Sequence, residues 1–211
     1  MSEKPETKTS VSISVPTSPL KSSYVSTRRN FHLYPNRILV ETGSYQGDGI
    51  QDALDAGFEK VISFEYAKHL ADKCRERFKD QSDKVLIVNG SSRDLFSYIK
   101  DIKEPITFWL DAHWSQMDTG HEPTGYCPVL AELEAISKHP IKTHSILVDD
   151  VRLFGTWEFD MIDLKRLIQG ALKVNPLYNL KFLDGHVKDD IIAFFIPPKK
   201  SNKKCLANDK K

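Results

Sequence analysis

ILVETGSYQGDGIQ, residues 38–51, runs from an apolar stretch into an acidic residue and three closely spaced glycines. The apolar part reads as a strand, and Ile50, Ala53, Leu54 and Gly57 fall at helical spacing behind the glycines. A strand that turns through glycines into a helix leaves bare backbone and free N–H groups for a ligand to approach. Dinucleotide-binding folds use the spacing GxGxxG there and hold a pyrophosphate on the helix N-terminus. The spacing here is Glu41-x-Gly43-x-x-x-Gly47-x-Gly49. A carboxylate in front of the first glycine would repel a pyrophosphate, and it suits a ligand that carries an ammonium group.

Outward from this stretch, strand-like runs alternate with amphipathic ones. Residues 37–41, 60–65, 85–88, 106–110 and 145–148 read as five strands. Between and after them come helical patterns carrying Ala67, Leu70, Ala71, Cys74 and Phe78, then Leu95, Phe96 and Ile99, then Val129, Leu133 and Ile136, then Met161, Leu164, Leu167 and Ile168. Residues 178–183 and 190–196 follow with only the turn Asp184-Gly185-His186 between them, which predicts an antiparallel hairpin. Alternation of this kind predicts an α/β fold: a doubly wound, seven-stranded, mostly parallel sheet with a C-terminal antiparallel hairpin. Ligands of such sheets sit beyond the carboxyl ends of the strands. Four of the first five strands end in acid, at Glu41, Glu65, Asp111 and Asp149-Asp150, so carboxylates converge on that rim.

At 211 residues with 40% hydrophobic and 28% charged side chains, the chain has enough apolar material for one well-buried domain. We place that domain at residues 25–198. Residues 1–24 are rich in Ser, Thr, Pro and Lys and read as a mobile arm, and residues 199–211 as a basic, solvated tail. A net charge of +1 gives the chain no electrostatic case for nucleic acid. No apolar run approaches the roughly 20 residues of a membrane helix, and the first residues lack the apolar segment of a secretory signal. Three scattered cysteines form no disulfide frame and point to a reducing compartment, the cytoplasm. A homo-oligomer is compatible with the sequence, which does not set the number of copies.

VETGSYQGDG, SFEYA and VNGSSRDL together resemble the glycine loop, ribose acid and adenine-side turn of class I S-adenosylmethionine (SAM)-dependent methyltransferases, a Rossmann-like fold. The resemblance covers roughly residues 36–197. It implies that Glu41 and Gly43 hold the methionine end of SAM, with Thr42, Ser44, Tyr45, Gly47 and Gly49 forming the loop. Glu65 would accept the ribose hydroxyls, and Gly90, Ser91 and Ser92 would meet the adenine. Ser91-Ser92 also fits a helix N-cap, and the two roles are compatible.

On the acceptor side, FWLDAHWS puts Asp111 at a strand end with His113 two residues on. Methylating a hydroxyl requires removal of its proton. His113 could act as the base, or it could position the substrate, and Asp111 is the second candidate catalytic group. Asp111, Asp149 and Asp150 offer three hard oxygen donors suited to Mg²⁺. This trio resembles the metal-dependent sugar O-methyltransferases, from which the chain departs in having Ala112-His113 after the first aspartate. The segments 111–114 and 149–155 also resemble small methyltransferases with which large algal DNA viruses decorate glycans with methyl-rhamnose. These likenesses imply a sugar or glycan acceptor. The polar, aromatic loop 114–128 would meet it through Trp114, His121 and Tyr126, with Arg152 and Trp157 nearby, although Trp114 could equally anchor the loop. The rival readings are an NAD-dependent oxidoreductase and a non-catalytic SAM-binding module whose aspartates are salt-bridged shut.

Overall fold

The computed structural model describes residues 29–116, 119–120 and 122–197. The arm at residues 1–24, the tail at 199–211 and His121 lie outside the described residues. Five strands alternate with helices in chain order: β1 (Ile38–Thr42), α1 (Asp48–Asp55), β2 (Lys60–Glu65), α2 (Lys68–Arg77), β3 (Val85–Asn89), α3 (Leu95–Ile99), β4 (Ile106–Leu110), α4 (Val129–Ser137) and β5 (Ser145–Val148). After α5 (Leu164–Val174) the chain ends in β6 (Asn179–Leu183) and β7 (Ile191–Phe195). One sheet holds all seven strands in the order β3-β2-β1-β4-β5-β7-β6. β1 to β5 run parallel, and β7 lies antiparallel between β5 and β6.

The near-continuous apolar character of the strands follows from burial on both faces. On one face Val40, Phe64, Phe108, Ile146 and Ile192 pack against α3, α4 and α5. On the same strands Leu39, Val61, Trp109, Leu147 and Ala193 turn to the other face, against α1, α2 and Phe31. Helices therefore change face between β1 and β4, the switch point at which such sheets open a crevice. Phe31, ahead of β1, is 2% exposed and meets the Trp109 ring edge-on at 5.4 Å.

Three local differences from the sequence reading have simple causes. β1 is shifted one residue along the chain from 37–41, so it starts at Ile38 and ends at Thr42, because Gly43 is the first residue after it whose φ, +86°, leaves the extended region. Met161 is not part of α5: it has φ +54° and lies exposed, and the helix starts only after Asp163 caps the Arg166 N–H at 2.7 Å. Gly57 lies past α1 with φ +93°, where the left-handed backbone ends the helical turn.

A buried histidine pair ties β4 to the segment before β5. His144 Nδ1 accepts the Ile106 N–H at 3.0 Å, so its proton is on Nε2, which faces His139 Nδ1 at 3.0 Å. His139 Nε2 in turn lies 3.1 Å from the carbonyl oxygens of both Ile99 and Ile102. Every nitrogen is used only if both rings are neutral. Burial, then the neighbouring His139 and Lys142, push His144 down to about 3. An unfolded histidine titrates near 6.5, so below that pH the unfolded chain binds a proton that the folded chain refuses. This contribution to stability is complete above pH 6.5 and is lost as pH falls toward 3. We expect His144 to cost about 2 kcal/mol between pH 7 and pH 5. The check is urea unfolding of wild type and His144→Asn, which keeps an acceptor for Ile106. The wild type should lose that much more stability over the interval, and equal slopes would remove the assignment.

Candidate active site

The bare backbone of the glycine loop is filled first by the protein's own atoms. A Cβ on Gly43 would stand 2.6 Å from the Asp111 carbonyl oxygen, one on Gly47 2.6 Å from the Phe78 ring, and one on Gly49 1.8 Å from Glu41 Oε1. Gly43 and Ser44 donate their N–H groups to the Phe64 carbonyl, which ties the loop to β2. The loop is thus drawn down onto the sheet, and Tyr45 at its tip takes φ +46°.

Glu41 sits beneath this loop, 1% exposed, with Oε2 accepting from Ser63 Oγ at 2.5 Å. Burial pushes its carboxyl up to about 8, against the Ser63 hydroxyl and the nearby Arg29. Glu65 at the end of β2 accepts the Tyr45 N–H on Oε2 and the Ala67 N–H on Oε1, both at 2.8 Å. Burial raises its pKa, and those backbone donors oppose the shift. Each oxygen keeps a lone pair, and the residue borders the cavity.

That cavity, about 680 Å³, opens at the carboxyl ends of the strands. Its size falls in the range of small-molecule sites. Of the residues expected at a cofactor, Gly43, Ser44, Tyr45, Glu65, Gly90, Ser92 and Asp111 line it. Glu41, Thr42, Gly47, Gly49 and Ser91 lie one layer behind that wall. Thr42 is fully buried and its hydroxyl accepts the Asp111 N–H at 3.1 Å. Ser91 caps the short turn Ser92–Asp94 by accepting the Arg93 N–H, and its hydroxyl donates to Glu122 at 2.8 Å.

Across the cavity, His113 stands between two carboxylates, with Nδ1 3.6 Å from Asp111 Oδ1 and Nε2 3.4 Å from Asp150 Oδ2. These are ion-pair distances rather than formed hydrogen bonds. Burial lowers the imidazole's pKa and is the largest single influence, but facing Asp111 and Asp150 it ends raised. Asp150 also meets Arg152 Nη1 at 2.5 Å, and the same guanidinium bonds the fully buried Asp190. Asp149 is pushed up to about 9, first by burial and then by Asp111 and Asp150. Two groups bring their donor atoms within 4.8 Å of one another: Asp111–His113–Asp150 and Asp149–Asp150–Asp190. The expected metal trio is therefore shared between two overlapping groups, with Asp150 in both.

No family model matches the sequence, and no curated protein matches it. Solved structures do. An O-methyltransferase from Bacillus cereus in complex with SAH aligns with a TM-score of 0.52 at 19% identity, over 76% of this chain and 74% of that one. The O-methyltransferase TomG from Streptomyces achromogenes, involved in tomaymycin synthesis and in complex with SAM, gives 0.54 at 14% identity over 82% and 78%. The SAH-bound Podospora anserina methyltransferase PaMTH1 gives 0.53 at 14% identity over 77% and 72%. The chain has the fold of these methyltransferases.

The loop after β4 forms one wall of the cavity, held from both sides. Glu122 pairs with Arg93 Nε at 3.0 Å, and a Cβ on Gly120 would strike the Tyr66 ring at 2.7 Å. On the other side Asp160 accepts the N–H groups of Tyr126 and Cys127. Trp114 stacks on Tyr126 at 5.1 Å, with Trp157 edge-on to both. Trp114 is therefore at least an anchor of the loop, while Tyr126 lines the cavity and Trp157 is half exposed. Sequence reasoning missed Arg29, Tyr66, Glu122 and His186 on the cavity wall. Tyr66 lies in the quoted SFEYA and Glu122 in the loop 114–128, but Arg29 and His186 come from separate segments and carry no motif, and only the fold brings the four together.

Gly43 and Gly57 separate two costs of replacing glycine. Both have φ near +90°, but a Cβ on Gly57 meets nothing within 4 Å. Gly57→Ala should lose about 1–2 kcal/mol from left-handed backbone strain alone. Gly43→Ala adds a clash with rigid backbone and should cost clearly more in urea unfolding. Equal losses would show that β4 yields freely at Asp111.

Proposed function

We infer that this chain is a SAM-dependent O-methyltransferase acting on a hydroxyl of a sugar or glycan. The observation that carries this is a single cavity at the switch point, with the glycine loop and Glu65 on one side and the Asp111–His113–Asp150 group on the other. SAM supplies a methyl group on a sulfonium, an electrophile that needs orientation more than activation. Gly43, Ser44 and Tyr45 border the place for its amino-acid end, Glu65 has lone pairs for the ribose hydroxyls, and Gly90 and Ser92 border the adenine side. The acidic lining favours a cationic ligand.

His113 takes the acceptor's proton on a ring nitrogen, and Asp111 and Asp150 stabilise the imidazolium that results. The three carboxyls of Asp111, Asp149 and Asp150 fit a hard divalent cation: they are oxygen donors, and the raised Asp149 lacks an ion pair among the described residues. Mg²⁺ there would lower the pKa of the acceptor hydroxyl. Asp150 already faces His113 and Arg152, and Asp111 faces His113, so Asp149 has the greatest need of a counter-charge. Tyr126 on the cavity wall and the half-exposed Trp157 supply apolar faces suited to a sugar ring.

Two features weigh against the rivals. Dinucleotide-binding sheets run 3-2-1-4-5-6, whereas here β7 is inserted between β5 and β6. A module with a closed acceptor side is not what a cavity of about 680 Å³ bordered by Asp111, Asp149 and Asp150 suggests.

Calorimetry should register binding of SAH and SAM but not NAD, with Glu65→Ala at least tenfold weaker, about 1.4 kcal/mol. Unchanged SAH affinity would sink the role of Glu65. With methyl-labelled SAM and a panel of glycans, EDTA should abolish transfer and magnesium should restore it. His113→Ala should reduce turnover roughly 10²–10⁴-fold with cofactor affinity intact. Full turnover in EDTA would remove the metal, and full turnover in His113→Ala would move the base role to Asp111 or solvent.

A further inference from the structure

Arg29 precedes β1, belongs to no motif, and reaches the glycine-loop end of the cavity. Three neighbours hold it there. Its Nη1 donates to Asp52 Oδ2 on α1 at 2.8 Å, and the guanidinium carbon lies 5.6 Å from the centroid of the Trp109 ring. Beside Gly49 it shares with Glu41 the space a side chain would fill: the absent Cβ would be 3.3 Å from Arg29 Nε and 1.8 Å from Glu41 Oε1. Yet Nε is buried without a hydrogen-bond partner among the described residues. A guanidinium has five N–H donors in a rigid fork. Nε is sealed beside Gly49 and Glu41, but Nη2 makes no hydrogen bond among the described residues and is not buried, so the Nη1–Nη2 end is the edge that can meet a planar anion.

The remaining charge at this end is acidic. Asp111 borders the cavity beside Gly43, and Glu41 lies behind the loop. That combination suits a zwitterion, with the ammonium toward Asp111 and a carboxylate toward Arg29, the cation that lines the cavity at this end. Resting on the SAM reading, we propose that Arg29 receives the α-carboxylate of the cofactor's amino-acid end, with Glu41 and Asp52 holding the guanidinium in place. Arg29 then makes the site selective for adenosyl thioethers that carry an intact amino acid.

Calorimetry with SAH and with 5′-methylthioadenosine, which lacks the amino acid, tests this on wild type, Arg29→Ala and Arg29→Lys. Arg29→Ala should bind SAH about tenfold or more weakly while its affinity for methylthioadenosine stays within twofold. Arg29→Lys, which keeps the charge and loses the fork, should fall between. Unchanged SAH affinity, or equal weakening of both compounds, overturns the assignment, the second outcome marking a purely structural arginine. Wild-type protein that binds neither compound overturns the SAM reading and this assignment with it. Melting temperatures of the unliganded variants identify any that fail to fold. In that case Asp52→Asn, which leaves Arg29 in place but loosens it, should weaken SAH selectively, and no selective loss there counts against the proposal.

Discussion

The ends of β1 and β4 lie so close that no side chain fits between them. Gly43 backs directly onto the Asp111 carbonyl, and the Asp111 N–H is fixed to Thr42 through both its carbonyl and its hydroxyl. This contact lies where the helices change face, so it determines where the crevice opens and what stands at its edge. Asp111 enters the cavity because its backbone is held from behind. The glycine loop, bonded to Phe64 and clamped by Glu65, is set against it from the opposite side. The glycine-loop wall and the wall that carries Asp111 thus share one backbone contact, and distortion of either reaches the other.

The second organising constraint is charge. The chain as a whole is nearly neutral, yet Glu41, Glu65, Asp149, Asp150 and Asp190 are largely withdrawn from water around one cavity. Burial raises the pKa of Glu41, Glu65, Asp149 and Asp150, because desolvation disfavours the charged form, and for Glu41, Asp149 and Asp150 neighbouring carboxylates add to that. Two guanidinium groups are placed against this, Arg29 by Glu41 and Arg152 between Asp150 and Asp190, while the His113 ring stands between Asp111 and Asp150. Buried pairs of this kind contribute little net stability, and removing one partner leaves the other uncompensated. Their effect is to gather carboxyl groups and their counter-charges around one shaped cavity.

The wall after β4 illustrates how an irregular segment is held without regular structure. Glu122 fastens it to Ser91 and Arg93, and Asp160, itself at φ +51°, takes two of its backbone N–H groups. The stack of Trp114, Tyr126 and Trp157 fills the space between. Such anchoring lets polar backbone run beside a cavity with its hydrogen bonds satisfied.

The periodic strands, the helical faces and the hairpin after Asp184 were legible from residues 37–196 because burial on both faces of a sheet imposes a pattern on neighbouring residues. The glycine loop and the acids at Glu41, Glu65, Asp111 and Asp149-Asp150 were legible for the same reason, since strand ends follow from strands. The sequence by itself did not separate Glu65, which lines the cavity, from Glu41, which lies behind it. Both end strands in acid, and only the packing of Gly49 against Glu41 decides the matter. Nor did it show that Ser91 serves Glu122, that His113 faces two carboxylates, or that Arg29 reaches the loop from before β1. Local sequence sets the period and ends of each element. Contacts between residues far apart in the chain depend on how those elements are stacked, and that is decided only when the sheet closes around its core.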